Sequence, residues 1–322
     1  MKSRWEQYRC QIAAIALGLD AGLGDPQNRY HPVAWMGTAI AKMEHYAPQG
    51  NYGRLGFGAV VSWSGAGLIF CFGRMAERIT NLFPCSLTLL LQGYLLKLVL
   101  SARGLRLAAA EIENSLQAGD LNEARRLLHW HLVSRETGKL TEAEVCAAAI
   151  ESVAENTSDG VIGPLYYYLI GGLGAAWAYR FSNTVDSMWG YRNEEYEWLG
   201  KIPARWDDLL NFVPSRLTAF GLAIGGWWIG KDAHRGLRVW RRDHALTSSP
   251  NAGHPMSMMA GLLDVELEKK EHYCLGKGTK AATYEDIHNS VRIMQVAVWA
   301  LLGLAGLAGM IMTITGKKRD RE

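Results

Sequence analysis

IMQVAVWALLGLAGLAGMIMTIT, residues 293–315, is 23 residues long and carries no charge. A helix needs about 20 such residues to cross a hydrocarbon core ~30 Å thick, where no water can satisfy an open backbone. The stretch has company. Leu55–Gly73 runs 19 uncharged residues, Gly160–Tyr179 20 and Ile79–Leu96 18, and Leu217–Gly230 adds 14 just after Arg216. A mean hydropathy of -0.05 hides this, because the charges are segregated between the runs. The fold class that follows is all-α: a polytopic integral membrane helical bundle with helical cytoplasmic segments, in contact with the lipid bilayer.

Two of the runs make poor simple spans. Gly160–Tyr179 contains Pro164, Gly171, Gly172 and Gly174, and Leu217–Gly230 is short and follows Pro214. Broken helices are tolerated at membrane depth only where protein buries them or they line a wet cavity. These two runs therefore read as re-entrant or broken helices, an arrangement that lets the polar clusters at their ends meet on one side. Arg235, Arg238, Arg241 and Arg242 place residues 231–292 in the cytoplasm by the positive-inside rule. Lys317, Lys318, Arg319 and Arg321 pull the tail to the same side across a good span, and the longer cluster is given the greater weight.

The polar regions between the runs also read as helices. Ser101–Gln117 has helical periodicity, and Asp120 with Glu123 and Thr141 with Glu144 have capping-box spacing. The helix opened by Thr141 puts Glu144, Ala148, Glu151 and Glu155 on one face and is expected to stop at Asp159–Gly160. KDAHRGLRVWRRDH (231–244) is a basic amphipathic helix suited to lipid headgroups. The chain breaks at SSPNAGHP and resumes as a helix through MSMMAGLLDVELEKK. With no internal repeat or low-complexity linker, residues 1–322 read as one domain. The five cysteines (10, 71, 85, 146, 274) have no CxxC spacing and read as small buried hydrophobes, and MKSRWEQYR leads into too short an apolar run for a signal peptide.

Five stretches concentrate polar residues beside apolar sequence: LGLDAGLGDPQNRYHPVAWMG (17–37), ESVAENTSDGVIGP (151–164), YRFSNTVDSMWGYR (179–192), ARWDDLLNFVPSR (204–216) and SSPNAGHP (248–255). Glu151, Glu155 and Asp159 lie four residues apart, and like charges at that spacing repel on a helix. They call for a positive partner: a basic side chain, a metal ion or a substrate. Across the clusters, carboxylates (Asp20, Asp25, Asp186, Asp207, Asp208) accompany Arg135, Arg180, Arg205 and Arg216 and the amides of Asn156, Asn183, Asn211 and Asn251. Carboxylates with amides suit a hard ion such as Mg²⁺, and arginine suits phosphate. No Cys or His pair has metal-ligand spacing, which argues against a zinc or redox centre. Plainer readings stand beside these. Asp20 and Asp25 are ordinary turn residues, Asp207 and Asp208 suit a helix N-terminus, Glu151 and Glu155 suit a solvated face, and His31 and His254, each before a proline, suit loop shaping. The P-loop and GxGxxG signatures are absent, and no aromatic–basic groove pattern points to nucleic acid.

GDP…HPV..MG (24–37), E.VAENTSDGVIGPLYYY (151–168), AYR..NT.DSM.GYR (178–192), AR.DD..N.VP.R (204–216) and SPNAG.P…MAG (249–261) closely resemble the CobD/CbiB family of cobalamin biosynthesis, in order over most of the chain. The resemblance implies an inner-membrane adenosylcobinamide-phosphate synthase with its active site facing the cytoplasm. Such an enzyme uses ATP and Mg²⁺ to join adenosylcobyric acid to (R)-1-amino-2-propanol or its O-phosphate as an amide. Within that frame Glu151, Glu155, Asp159 and Asn156 are the catalytic expectation, and Glu151, Glu155, Asp159, Asp186, Asp207 and Asp208 the Mg²⁺ ligands. Asp25, His31, Arg180, Asn183, Asp186, Ser187, Arg205, Asn211, Arg216, Ser249 and Asn251 would bind substrate. A homo-oligomer and association with other late corrinoid-pathway enzymes are further expectations. The chain departs from the family where it has SRET (134–137) in place of GRDT, and LLDVELEKK after MAG in place of a glycine-rich turn. The rival readings are an AmpE-like, non-catalytic signalling protein on the same scaffold, and a transporter, for which paired symmetric halves are missing.

Overall fold

The computed structural model describes residues 8–269, 272–277 and 280–319, with side chains as far as Ile311. The side chains of the basic tail, most of the N-terminal MKSRWEQYR and the centre of LGKGTK lie outside the described residues. Twelve α-helices account for nearly all of the rest: α1 (Arg9–Leu23), α2 (Pro32–Glu44), α3 (Asn51–Thr80), α4 (Cys85–Lys97), α5 (Ala102–Gln117), α6 (Leu121–His131), α7 (Glu142–Thr157), α8 (Gly163–Trp189), α9 (Lys201–Trp228), α10 (Ala233–Asp243), α11 (Gly253–Leu263) and α12 (Tyr284–Arg319). Among the described residues three stretches are long and apolar enough to cross a membrane: Asn51–Thr80, Glu142–Trp189 and Tyr284–Ile311. A fourth exists only if Cys85–Lys97 is counted together with α5. The protein is an all-α membrane protein. Its chain divides into two compact units, Met1–Ser101 with Asp159–Pro214, and Ala102–Ser158 with Ser215–Glu322.

In the first unit α3 packs along α8. The helices touch at two glycines: a Cβ on Gly73 would lie 2.8 Å from the Gly174 Cα, so only hydrogen there allows the approach. The outward face of α3 keeps Val60, Trp63, Leu68, Phe70 and Phe72 exposed, an apolar surface that suits lipid contact. As expected, α8 is broken. Gly172 has φ 74° and ψ -165°, a conformation nearly closed to other residues. Charged groups attend both sides of the break. Arg9 donates to the Leu169 carbonyl at 2.8 Å, and the Glu77 carboxylate, ion-paired to Arg74 at 2.7 Å, lies where a Gly172 Cβ would stand. The first half of α8 thus ends on a cation and the second begins beside an anion, as the helix dipole favours.

The apolar run Ile79–Leu96 is not one helix. α3 ends at Thr80, and Pro84 starts α4 after a turn. Thr88 donates to the Thr80 and Phe83 carbonyls, and Gln92 to Thr80 Oγ1 and Asn81 Oδ1. Thr88 thus satisfies carbonyls that the turn opens, and Gln92 braces the turn through its side chains. At the end of α4, fully buried Lys97 donates to the Gly24 carbonyl and to Asp25 Oδ1, the latter at 2.9 Å. His31 Nε2 stands 3.6 Å from the same Asp25 oxygen, while its Nδ1 accepts from the Val33 N–H and caps α2. His31 therefore shapes the loop as its plain reading held, but Asp25 is a charge partner as well. Asp20 is buried inside α1 rather than in a turn.

In the second unit α7 opens with the full Thr141–Glu144 capping box. The Asp120–Glu123 box is half formed: Asp120 accepts from the Glu123 N–H, but the Glu123 side chain binds Arg126 at 2.7 Å instead of reaching back. α11 stops at Leu263, where Asp264 takes a left-handed conformation (φ 60°), so the helix does not continue through DVELEKK. That segment forms an antiparallel hairpin, β1 (Leu267–Lys269) with β2 (Tyr273–Leu275), packed on α7. α5, α7 and α11 pack on the N-terminal part of α12, which continues as the apolar run that opened the sequence. Cys146 is buried as expected, but Cys71 and Cys85 are exposed on apolar helices, and all five cysteines are free.

The expected stop at Asp159–Gly160 is also corrected. The chain passes through one wide π-turn, Ser158–Ile162, directly into α8. Such turns insert a residue into the helical register and are frequent at functional sites. Asp159 therefore does not simply extend the face that carries Glu151 and Glu155.

Two outcomes follow. Gly172→Ala should destabilise the protein by about 1–3 kcal/mol through the positive φ alone, with further loss from the clash with Glu77, read as a lowered thermal midpoint in detergent. For Asp25, burial works to raise the carboxyl, but the hydrogen bonds of His31 and Lys97 outweigh it and hold the folded value below the ordinary one. Its contribution to stability is therefore present above about pH 4 and lost as pH falls through the lowered folded value. Acid unfolding of Asp25→Asn should lack that part of the pH dependence.

Candidate active site

Arg180 organises the first unit's polar residues. It lies on the second half of α8, half-buried with its Nε enclosed, and its Nη1 is directed at the Asp159 carbonyl (3.5 Å) and at Asn183 Oδ1 (3.4 Å). The carboxylates of Asp159, Asp25 and Asp207 all act on its charge. A guanidinium in an apolar helix must be paired or its burial becomes prohibitive. Members of four of the five polar clusters are accordingly gathered around one cation: Asp25, Asp159, Arg180 with Asn183, and Asp207.

Asp207 is the most deeply enclosed of these acids. α9 begins at Lys201, so Asp207 and Asp208 are its seventh and eighth residues rather than helix-start acids. Asn211, one turn on, donates to Asp207 Oδ2 at 2.8 Å, and Tyr179 donates to Asn211 Oδ1 at 2.7 Å, forming a buried chain from α8 to α9. Tyr179 stacks on Tyr167 with ring centroids 4.9 Å apart, and Tyr167 holds the Leu210 carbonyl at 2.9 Å. Two atoms of the cluster, Asp207 Oδ1 and Arg180 Nε, are buried with no hydrogen-bond partner among the described residues. Burial first, then the charge of Asp186, pushes the Asp207 carboxyl above the ordinary carboxylate range. Asp208 also acts on Asp186 and pairs with Arg205 at 3.7 Å. Arg205 is 70% exposed, which places it at the edge of the cluster. Ser187 is turned back on its own helix, donating to the Asn183 carbonyl.

In the second unit the acidic face of α7 has partners within the chain. Glu151 is 8% exposed, hydrogen-bonded to Tyr273 of β2, and flanked by Arg135 and by Lys269 of β1. Burial first, then the Glu151 charge, raises the Tyr273 hydroxyl far above its ordinary value. Glu155 acts on the same tyrosine. The hairpin and Arg135 thus supply the positive partners that the Glu151 repeat calls for. Asn156 donates to the Ser152 carbonyl of its own helix. Elsewhere in this unit Arg216 donates to Asn251 Oδ1 at 3.2 Å and to Ser215 Oγ at 3.4 Å. Ser249 Oγ accepts the backbone N–H groups of Asn251 and Ala252 and shapes the turn into α11.

The sequence-derived set therefore falls into groups. Asp25, His31, Asp159, Arg180, Asn183, Asp186, Ser187, Arg205, Asp207, Asp208 and Asn211 belong to the first unit, and Glu151, Glu155, Asn156, Arg216, Ser249 and Asn251 to the second. Residues not singled out beforehand are Lys97, Tyr179 and Tyr273. Lys97 had a legible signal, a lone cation closing an apolar run; the tyrosines had none, since only their contacts distinguish them. Among the described residues no three His, Cys, Asp or Glu side chains close into a metal cage. Mg²⁺ commonly binds one or two carboxylates and completes its shell with water and substrate phosphate. The hard oxygen donors around Asp186 and Asp207, one of them unpartnered, fit that habit.

The CobD/Cbib protein family profile matches residues 13–299, spanning all five polar clusters. The chain is 38% identical over 296 residues to the cobalamin biosynthesis protein CobD of Dehalococcoides mccartyi, covering 91% of this chain and 96% of the relative. It is 34% identical over 319 residues to the cobalamin biosynthesis protein CbiB of Salmonella typhi (92% and 98%) and 33% identical over 303 residues to CobD of Clostridium perfringens (93% and 95%). No solved structure matches. A profile over most of the chain and relatives aligned nearly end to end give one answer: the chain belongs to the CobD/CbiB family of cobalamin biosynthesis proteins.

Proposed function

We propose that the protein is an adenosylcobinamide-phosphate synthase. It would join a propionate of adenosylcobyric acid to the amine of 1-amino-2-propanol O-phosphate, or of the free amino alcohol, at the expense of ATP. The observation that carries this reading is the gathering of Asp25, Asp159 and Asp207 around half-buried Arg180 in a member of a cobalamin-biosynthesis family.

A carboxylate and an ammonium do not condense at neutral pH. The carboxylate is a poor electrophile and the ammonium has no lone pair, so the first needs phosphoryl activation and the second a base. Arg180 is suited to hold a carboxylate or phosphoryl oxygen: its charge is permanent and its Nε–H is uncommitted among the described residues. Asp207 is suited to take the ammonium proton. Its Oδ1 is unpartnered, and desolvation moves its affinity for protons toward the working range of a general base. Asn211 and Tyr179 fix the Asp207 carboxyl in one orientation, so the lone pairs on Oδ1 need no reorganisation. Mg²⁺, when bound, would spread the phosphate charge, and Asp186, Asp208 and Asp159 are the residues to hold it. ATP use places the site on the cytoplasmic side of the inner membrane, in keeping with exposed Arg238, Arg241 and Arg242 on α10.

The test is incubation of purified protein with adenosylcobyric acid, aminopropanol phosphate or aminopropanol, ATP and Mg²⁺, with mass spectrometry for the amide. Amide formation with either amine supports the reading; a folded protein that gives none with both overturns it. Asp207→Asn and Asp159→Asn should each lose about 10²- to 10⁴-fold in turnover while inserting normally in the membrane. With Asp207 as base, wild-type turnover should fall as pH drops through a value well above about 4, because the protonated carboxyl cannot accept. A flat profile from pH 5 to 8 would remove Asp207 from that role.

A further inference from the structure

His254 reads from sequence as a loop-shaping residue before Pro255, but its surroundings in the second unit give it a donor with nothing to bind. It lies in the first turn of α11 and is 3% exposed. Its Nδ1 accepts from the Trp240 indole N–H at 2.9 Å. An indole nitrogen can only donate, so Nδ1 must carry the lone pair, and in the neutral ring the proton sits on Nε2. That Nε2–H is buried and has no hydrogen-bond partner among the described residues.

The ring is held neutral and in place. The His244 ring lies 4.7 Å from His254 and 5.5 Å from Trp240, and its Nδ1 is 2.9 Å from the Trp240 carbonyl, an arrangement that fixes all three rings against one another. Burial first, then the Arg216 and His244 side chains, lowers the His254 pKa to about 4. The groups that weigh electrostatically on His254 are thus both basic. Arg216, half-buried on α9, is itself oriented by Asn251 Oδ1 and Ser215 Oγ. A fixed guanidinium, an unused N–H and the positive end of α11 all favour the same kind of ligand atom, an anionic oxygen.

We propose that His254 is a substrate-positioning donor that, with Arg216, forms a subsite for a phosphoryl oxygen. The inference rests on the synthase reading for the identity of the phosphoryl group, which the nucleotide or the amine phosphate could supply. The subsite itself can be read without turnover.

His254→Gln places an amide N–H where the imidazole Nε2–H stands, whereas His254→Leu keeps the bulk and removes the donor. In steady-state assays His254→Leu should raise KM for one phosphorylated substrate about 10- to 100-fold, the size expected for a lost hydrogen bond to a charged group, and His254→Gln should recover most of it. A rise for ATP assigns the nucleotide, and a rise for aminopropanol phosphate but not for free aminopropanol assigns the amine phosphate. Wild-type KM values in the leucine variant, or a glutamine variant as impaired as the leucine one while both remain folded, would overturn the proposal. The second measurement is independent of activity. In protein labelled with [15N]histidine, the His254 resonances should show the Nε2–H tautomer and move on titration with inorganic phosphate. An Nδ1–H tautomer, or resonances indifferent to phosphate, overturns the subsite whether or not the protein makes the amide.

Discussion

A permanent charge inside an apolar helix is the constraint on which the first unit depends. Arg180 cannot shed its proton to escape burial, as a lysine can, so the fold must bring anions to it. The loop before α2 does so with Asp25, the π-turn with Asp159 and α9 with Asp207. The pull acts on the backbone too. Nη1 faces the Asp159 carbonyl as well, at the turn where α7 passes into α8. Replacing the arginine by an apolar residue would remove the charge that Asp159 and Asp207 share, while Asp25 would keep Lys97 as its partner. Poor solvation pushes the Asp207 carboxyl above the ordinary carboxylate range, whereas the partners of Asp25 hold its carboxyl below it.

The irregular backbone has the same logic. A membrane helix exposes its end groups wherever it breaks, and those groups must find partners inside the protein. At the α8 break Arg9 takes a carbonyl and Glu77 faces the following turn. At the turn between α3 and α4, Thr88 serves the freed carbonyls, and Gln92 ties down the Thr80 and Asn81 side chains. Each interruption is matched by polar side chains that would otherwise be costly in an apolar run. Such residues mark where a span ends or bends before any hydropathy average does.

That correspondence explains what could be read beforehand. The spans, the break among Gly171–Gly174, the Thr141 cap and the basic helix after Gly230 were legible because each depends on nearby residues. The end of α11 was not: LLDVELEKK is good helical sequence, and the hairpin wins by packing on α7 and by setting Tyr273 and Lys269 against Glu151. The run Ile79–Leu96 misled for the opposite reason, since its composition is apolar while its conformation is decided by Pro84 and four polar side chains. At the site, residue types and clusters could be read from the sequence, but pairings could not. Arg135 and Lys269 as neighbours of Glu151, and Lys97 as partner of Asp25, are contacts between residues 16 to 118 and 72 positions apart, beyond the reach of any local pattern.

Pairing also separates structural charges from those left for chemistry. Glu151 has a tyrosine, an arginine and a lysine, and Asp25 has Lys97 and His31. These acids are engaged in the resting protein, so a ligand must compete with their partners before it can use them. Asp207 Oδ1, Arg180 Nε and His254 Nε2 are different, being buried polar atoms with no hydrogen-bond partner among the described residues. Leaving such an atom unsatisfied costs about 1–3 kcal/mol, and these three are among several in the described residues, Ser62 Oγ and Trp206 Nε1 included. Asp207 Oδ1 offers an acceptor and Arg180 Nε a donor within the first unit, and His254 Nε2 offers a donor within the second. The charge repeats that attract notice in the sequence are thus largely answered within the chain, while the fold leaves these less conspicuous atoms open.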